Sequence, residues 1–160
     1  MLETVRAPAL VLGPSLELHF RTILVPVVRN ADSEEALVAA ARLASERRAT
    51  IAIVHVLEVP MSLPIDAELP EEEERAFELL EEARALVDAY GVRTVTRLVR
   101  ARRAGPAIAE EATRRQAELI VIGARRRIAH GRTPIFGRTV DHVLKESPCH
   151  VLLAAGRKAA

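Results

Sequence analysis

Arginine and glycine are concentrated in one loop of the sequence, between Gly123 and Gly137. The loop follows the apolar run Leu119–Ile122 and leads into a helical pattern. A helix that begins near Gly137 presents unpaired backbone N–H groups and a partial positive charge, which favour an anion. Guanidinium groups bind phosphate through paired hydrogen bonds. The arginines that could bind a phosphate here include Arg125, Arg126, Arg127 and Arg138. The loop is therefore a candidate phosphate site, and solvated arginine side chains are the alternative.

Two familiar phosphate-binding motifs do not fit this loop. The P-loop motif G-x4-G-K-[ST] requires a lysine that reaches the terminal phosphates. The segment Gly131–Thr139 is one residue too long for this motif and has Arg138 in place of the lysine. The dinucleotide-binding motif G-x-G-x-x-G does not occur in the sequence. The loop therefore belongs to neither class.

The elements around the loop alternate between strand and helix patterns. Five short runs are typical of strands in a sheet covered on both faces: Thr22–Val28, Thr50–Leu57, Arg93–Arg100, Leu119–Ile122 and His150–Ala154. The third run alternates polar and apolar residues, which favours a position at the sheet edge. Four helices are predicted between them: one capped by Asp32 and ending near Arg48, one from Pro70 to Gly91, one from Gly105 to about Arg115, and one from Gly137 to Pro148. This order predicts an α/β fold with an open parallel sheet and helices on both faces.

One domain accounts for most of the chain. We expect it to span residues 20–156, with a tail at residues 157–160. Residues 1–19 contain Pro8, Gly13 and Pro14 and show no sustained period, so they are interpreted as a leader or linker.

Composition and charge exclude several classes of protein. The net charge is +1 and aromatic residues make up 2% of the chain, so we expect no nucleic acid partner. No run of 18 apolar residues occurs, which argues against direct insertion into a membrane. Cys149 is the single cysteine, so no intrachain disulfide is possible, and a reducing, cytoplasmic location is expected.

The polar residues outside the loop suggest no catalytic centre. His55 interrupts an apolar strand and is interpreted as a structural histidine. His130 lies in the loop and is interpreted as an exposed histidine, with contact to a ligand as the alternative. His142 and His150 have no acid placed as in a triad, and no metal-ligand spacing stands out. We therefore predict that the protein is not an enzyme and binds no metal.

In open α/β sheets, ligands bind beyond the carboxyl ends of the strands, where the strand order reverses. This rule selects the loops after the first, second and fourth predicted strands. Together with the arginine-rich loop, it gives the candidate ligand-binding residues: Pro26, Val27, Val28, Val56, Gly123, Arg126, Gly137, Arg138 and Thr139.

Several separated motifs, in order, resemble the universal stress protein family. They are the strand Ile23–Val27, the pair His55-Val56, the run Leu119–Gly123 with Gly137 beyond it, and Ser147–Leu153. The resemblance covers about Phe20 to Ala155. It implies a Rossmann-like sheet of the adenine nucleotide alpha hydrolase type, with strand order 3-2-1-4-5. It also implies homodimers that pair through the last strand and, in one branch of the family, ATP as ligand.

The phosphate loop of that branch has the pattern G-x2-G-x9-G-[ST]. Gly123 matches its first glycine and Gly137 its last, in a loop one residue longer. Arg126 replaces the second glycine, and Arg138 replaces the hydroxyl residue, with Thr139 directly after it. Val28 stands where the resemblance implies an aspartate on the adenine side.

Two functions follow from these observations. The first is a regulatory or stress-response domain that binds ATP or another phosphate-bearing ligand at the loop after the fourth strand. The alternative is a protein-interaction domain without a nucleotide, such as the soluble regulatory domain of a membrane transporter.

Overall fold

The computed structural model describes residues 20–125 and 136–156 in full and the backbone of residues 2–5. The strands are β1 (Leu2–Val5), β2 (Thr22–Pro26), β3 (Thr50–Glu58), β4 (Thr94–Ala101), β5 (Leu119–Gly123) and β6 (His150–Ala154). The helices are α1 (Ala31–Arg47), α2 (Pro70–Asp88), α3 (Ala104–Arg114) and α4 (Arg138–Glu146). Helix α2 begins at a proline and is followed by Gly91 at a φ of 69°, as the sequence predicts.

The strands form one sheet in the order β1-β6-β5-β2-β3-β4. Strands β2 to β6 are parallel to one another, and their order is the predicted 3-2-1-4-5. This confirms the predicted fold class, and β4 is the edge strand that its alternating residues indicate.

Each face of the sheet has its own hydrophobic core. Helices α1 and α2 cover one face, where small side chains such as Ala40 and Ala44 pack on Ile23 and Val25. Helices α3 and α4 cover the other face, where Ile108 and Val143 are buried with other aliphatic residues. Helices on both faces bury the central strands completely, which explains their almost unbroken apolar sequence.

Strand β1 lies inside the segment interpreted from the sequence as a leader or linker. It pairs antiparallel with β6, with Leu2 opposite Ala154 and Val5 opposite Val151. The four residues of β1 are too short a run to show a period, so the strand is not predicted. The remainder of the predicted leader, residues 6–19, and the predicted tail, residues 157–160, lie outside the described residues.

The start of α1 differs from the prediction that Asp32 caps it. Asn30 is the capping residue, and its Oδ1 accepts a hydrogen bond of 2.8 Å from the backbone N–H of Ser33. Asp32 lies in the first turn instead, where its Oδ1 accepts from the backbone N–H of Gly156 at 2.8 Å. Both residue types are good caps. The contact with the segment after β6 is what assigns Asp32 a different role.

Candidate functional site

A cavity of about 220 Å³ opens at the carboxyl ends of β2, β3 and β5. It is called the main cavity below. It brings together six of the residues predicted from the sequence: Pro26, Val27, Val28, Val56, Gly123 and Thr139. These six residues therefore line one cavity, and their role in binding a ligand stays a prediction.

The cavity exists because two neighbouring strands separate. The register between β2 and β5 pairs Ile23 with Leu119 and Leu24 with Ile120. Both strands continue beyond these pairs, to Pro26 and Gly123 respectively. The chain then passes from β2 to α1 on one face and from β5 towards α4 on the other face. A crevice therefore lies between the two strand ends, at the point where the topology switches direction.

Gly123 is required by packing at this crevice. A Cβ atom at this position would lie 2.5 Å from the carbonyl carbon of Asp32 and 2.7 Å from the backbone nitrogen of Ser33. Any side chain would therefore collide with the first turn of α1. The glycine lets α1 approach the end of β5, whether or not a phosphate binds there.

Gly137 has a different environment. It is the N-cap of α4, and a Cβ atom there would meet no described atom within 4 Å. Its φ of −68° is accessible to any residue. Among the described residues, no side chain caps α4, so none of them accepts a hydrogen bond from its first N–H groups.

Thr139 and Arg138 are neighbours in the sequence, but only Thr139 lines the main cavity. Thr139 lines the main cavity, next to Val140, whereas Arg138 does not. Arg138 lines a smaller space beside it, here called the side recess, whose walls are Glu58, Arg103, Ala104, Gly105, Arg138, Thr139 and His142. The sequence places Arg138 in the hydroxyl position of the phosphate loop. Because of the rotation of α4 about its axis, Thr139 and not Arg138 lies at the main cavity.

Val28 presents an apolar side chain at the mouth of the cavity and is 52% exposed. Its backbone N–H donates to Ser33 Oγ over 2.9 Å, so this donor is already satisfied. Next to it, His55 Nδ1 lies 2.8 Å from the carbonyl oxygen of Val27, which can only accept, so this nitrogen carries the proton. This hydrogen bond ties the His55 ring to the end of β2, and the interpretation of His55 as a structural histidine stays a prediction.

Arg125 is tied to α1. Its Nη2 lies 3.3 Å from Asp32 Oδ1, the atom that also accepts from Gly156. This contact joins the start of the arginine-rich loop to α1 and to the segment after β6. The carboxylate of Asp32 therefore partly compensates the positive charge of Arg125. Arg126, Arg127 and His130 lie outside the described residues.

The sequence misses several residues of the main cavity. The polar ones are Ser33 and Glu58, and the apolar ones are Val54, Ala104, Ile108, Ile122 and Val140. Glu58 is the last residue of β3, and its carboxylate also borders the side recess. Glu58 directly follows the predicted strand Thr50–Leu57, so the carboxyl-end rule already points to this residue. Ile108 and Val140 lie on helices that the rule does not consider.

Residues 20–125 and 136–156 contain no group of three or more histidine, cysteine, aspartate or glutamate side chains that could hold a metal ion. None of the four described helices is long and apolar enough to cross a bilayer.

A model of the universal stress protein family matches residues 19–155. The chain belongs to this family. The resemblance drawn from the separated motifs is thereby confirmed. A search among curated proteins finds no match to this universal stress protein.

Solved structures of the family share the fold of this universal stress protein. One from Archaeoglobus fulgidus is 24% identical, with a TM-score of 0.70 over 83% of this chain and 92% of that chain. Another from the same organism, in complex with dAMP, is 22% identical, with a TM-score of 0.68 over 86% and 99% of the two chains. One from Arabidopsis thaliana with AMP bound is 17% identical, with a TM-score of 0.61 over 85% and 92%.

Proposed function

We propose that this universal stress protein is a regulatory domain that binds an adenine nucleotide in the main cavity. The single observation that carries the proposal is the position of Thr139. This residue borders a largely apolar cavity at the topological switch point, beside the N-terminus of α4, which no described side chain caps. An apolar slot next to donors for an anion suits a ligand with a flat base and a phosphate. Family structures with dAMP and with AMP bound support this ligand class.

The size of the cavity favours a single nucleoside. Ligand sites are commonly about 300–1,000 Å³, so a cavity of about 220 Å³ is at the small end of the range. The nucleoside fills such a space alone, and its phosphate lies outside it at the start of α4. ATP remains one candidate within this class.

Each wall of the cavity has a role in the proposed complex. The base packs on Val28, Val56 and Ile122, which are apolar. Glu58 accepts hydrogen bonds from the ribose hydroxyls, because it is the carboxylate that lines this cavity. Thr139 and the first N–H groups of α4 bind the phosphate. Val28 offers no side-chain hydrogen bond to the base, which weakens binding by about 1 kcal/mol relative to an aspartate there.

The test is a thermal unfolding series with adenosine, AMP, ATP and inorganic phosphate. A ligand at about 100 times its dissociation constant adds roughly 2.7 kcal/mol to the free energy of unfolding, so the melting temperature rises measurably. Thr139→Val removes the hydroxyl at nearly constant volume and should weaken AMP binding by about fivefold, since a net hydrogen bond contributes about 1 kcal/mol.

Thr113→Val is the matched control. Thr113 is an exposed helical threonine whose hydroxyl donates to the carbonyl of Ala109, away from the main cavity. Its variant should bind AMP as the unmodified protein does. An unchanged melting temperature with every nucleotide at millimolar concentration would overturn the proposal.

A protein-interaction role is the second candidate, and an exposed apolar surface favours it. Met61 is 82% exposed in the loop before α2, and Phe77 on α2 is 56% exposed. Arg100 connects the two regions, because it donates to the loop carbonyl of Ile65 and pairs with Glu73 on α2. A soluble partner, or a transporter whose activity this domain regulates, would bury these side chains.

Three further expectations stay predictions beside this proposal. A homodimer through the last strand is tested by sedimentation, and a cytoplasmic location by fractionation of cells. The absence of catalysis is tested by incubating the protein with ATP and magnesium and measuring released phosphate.

A further inference from the structure

Most of the exposed large apolar side chains in the described part of the chain lie in one short segment. This segment is the loop between β3 and α2 together with the first part of α2, residues 59–81, and its exposed side is called the loop–α2 surface below. Four of the six exposed large apolar residues belong to it: Met61, Leu63, Ile65 and Phe77. Single exposed apolar residues are ordinary, so their concentration in one segment requires a separate explanation.

The loop of this segment is held in place by two arginines at the end of β4. Arg102 Nη1 lies 2.5 Å from the carbonyl oxygen of Pro60 and 2.7 Å from that of Leu63. Arg100 Nε donates to the carbonyl oxygen of Ile65 over 3.1 Å. Hydrogen bonds from a charged donor are strong and favour one loop conformation. The apolar side chains of the loop are therefore positioned before a partner binds, which lowers the entropy cost of binding.

Arg100 also brings the loop and α2 together. The guanidinium group that donates to Ile65 forms an ion pair with Glu73 on α2. Phe77 lies one helical turn after Glu73, so the two side chains are neighbours on the helix surface. An open groove of about 570 Å³ runs beside Phe77, and its walls are Pro70, Glu73, Glu74, Phe77, Glu78 and Glu81. The loop and the groove are therefore adjacent parts of one surface.

The loop–α2 surface is strongly acidic. Residues 59–81 contain eight acidic residues and one basic residue, whereas the whole chain has 22 acidic and 23 basic residues. The helix dipole explains the glutamates in the first turn of α2, but it does not explain Glu78 and Glu81. Glu78 lies four residues after Glu74 and three before Glu81, so these carboxylates repel one another. None of the three forms an ion pair within the described residues. A positively charged partner would relieve this repulsion.

The chemistry of the surface selects one kind of partner. Nucleic acids and anionic membranes carry negative charge and are repelled. A second copy of the chain offers no suitable helix in its described part, because its other exposed large apolar residues are Val28 and Val95, which lie outside the helices. A helix with an apolar stripe beside lysines or arginines matches both the apolar side chains and the carboxylates that flank them.

We propose that the loop–α2 surface binds a basic amphipathic helix of a partner protein. The apolar stripe of that helix packs on Phe77 and on the exposed loop residues Met61 and Ile65. Its lysines or arginines pair with Glu74, Glu78 and Glu81. This proposal rests on the protein-interaction role, the second candidate above. It is independent of the nucleotide, because no residue of the surface lines the main cavity.

The test uses the full chain and two synthetic helical peptides. Both have leucine at the a and d positions of a heptad repeat, and the other positions are lysine in one peptide and glutamate in the other. Binding is measured by fluorescence anisotropy of the labelled peptides. We expect the lysine peptide to bind at least about tenfold more tightly than the glutamate peptide. Its affinity should fall as the salt concentration rises.

The apolar part of the surface is tested by Met61→Ser combined with Phe77→Ser. This variant should bind the lysine peptide about tenfold more weakly or worse, because a few apolar anchors supply most of the binding energy of an interface. Val95→Ser is the matched control, since Val95 is an exposed apolar residue on β4 and outside the surface. The control should bind within about twofold of the unmodified protein. Urea unfolding of each variant checks that the fold is intact.

The acidic part is tested by Glu78→Gln combined with Glu81→Gln. We expect this variant to bind the lysine peptide about fivefold more weakly, because two of the pairing carboxylates are lost. Glu34→Gln combined with Glu46→Gln is the matched control, since both are exposed acids on α1 and the change in net charge is the same. The control should keep the affinity of the unmodified protein.

Each remaining outcome has a definite meaning. Equal binding of the two peptides, or equal losses in the surface variants and their controls, would overturn the proposal. If the glutamate peptide binds more tightly and its binding needs Met61 and Phe77, the interaction role stands and the basic partner is wrong. If sedimentation shows a dimer that Phe77→Ser dissociates, the surface binds a second copy and the proposal is wrong. If neither peptide binds, the proposal is wrong, while the melting series with AMP still decides the nucleotide function by itself.

Discussion

Two arginine clusters on the α3 side of the sheet have opposite electrostatic arrangements. In the first, Arg97, Arg114 and Arg115 surround the carboxylate of Glu111, which is 2% exposed. Their closest nitrogens lie 3.3, 3.3 and 2.8 Å from its oxygens. In the second, Arg103 and Arg138 line the side recess without an ion pair in the described part of the chain.

The difference shows how to interpret an arginine-rich sequence. Arginines that converge on a buried carboxylate are explained by the fold, because an unpaired buried charge is costly. Arginines that converge on a cavity wall are not explained in this way. The Glu111 cluster joins β4 to α3, whereas the recess arginines are available to a ligand.

The largest expected effect is the loss of the buried carboxylate. Glu111→Gln leaves three guanidinium groups around a neutral side chain, and we expect the free energy of unfolding to fall by about 2 kcal/mol. This value is lower than for a fully buried pair because the arginines are partly exposed and regain water. Urea unfolding measures the change. A loss below about 0.5 kcal/mol would show that the cluster is as dispensable as a surface ion pair.

A smaller effect is expected for one of the partners. Arg115→Gln removes the closest contact to Glu111, at 2.8 Å, but two guanidinium groups remain beside the carboxylate. We expect the free energy of unfolding to fall by about 1 kcal/mol, measured by urea unfolding at low salt. Arg93→Gln, which touches no carboxylate in the described residues, serves as the control. If both variants lose the same amount, the effect is one of net charge and not of this contact.

The smallest effect is expected for the side recess. The double variant Arg103→Gln and Arg138→Gln should unfold within about 0.5 kcal/mol of the unmodified protein, because it removes cations from helix N-termini. The measurement is the same urea titration without any ligand. A loss comparable to that of Glu111→Gln would assign these arginines to the fold and remove the contrast between the clusters.

Much of the fold follows from local patterns. The runs Thr22–Val28 and Leu119–Ile122 are apolar at nearly every position because helices cover both faces of the sheet. Four helices appear where capping residues, proline and glycine indicate them. Strand β1 is the exception, since its four residues are stabilised by β6 at the far end of the sequence. A local pattern contains no information on such a pairing.

The site is predicted in position but not in detail. The carboxyl-end rule selects Val28, Val56 and Gly123, which line the main cavity. It cannot assign Thr139 to the main cavity and Arg138 to the side recess, because that choice depends on the rotation of α4. Nor can the sequence distinguish Gly123, which packing requires, from Gly137, where a Cβ atom would meet no described atom within 4 Å.

The pairing of β1 with β6 also determines the order in which the sheet can be completed. Residues 2–5 are made before the other strands of this sheet, whereas their partners at residues 151–154 belong to the strand that is made after all the others. Every other strand can find a neighbour before β1 can, so β1 joins the sheet at the end of folding. Until then the outer edge of β6 is unprotected in the newly synthesised chain. The contact between the two ends of the domain is therefore the last step that closes the sheet.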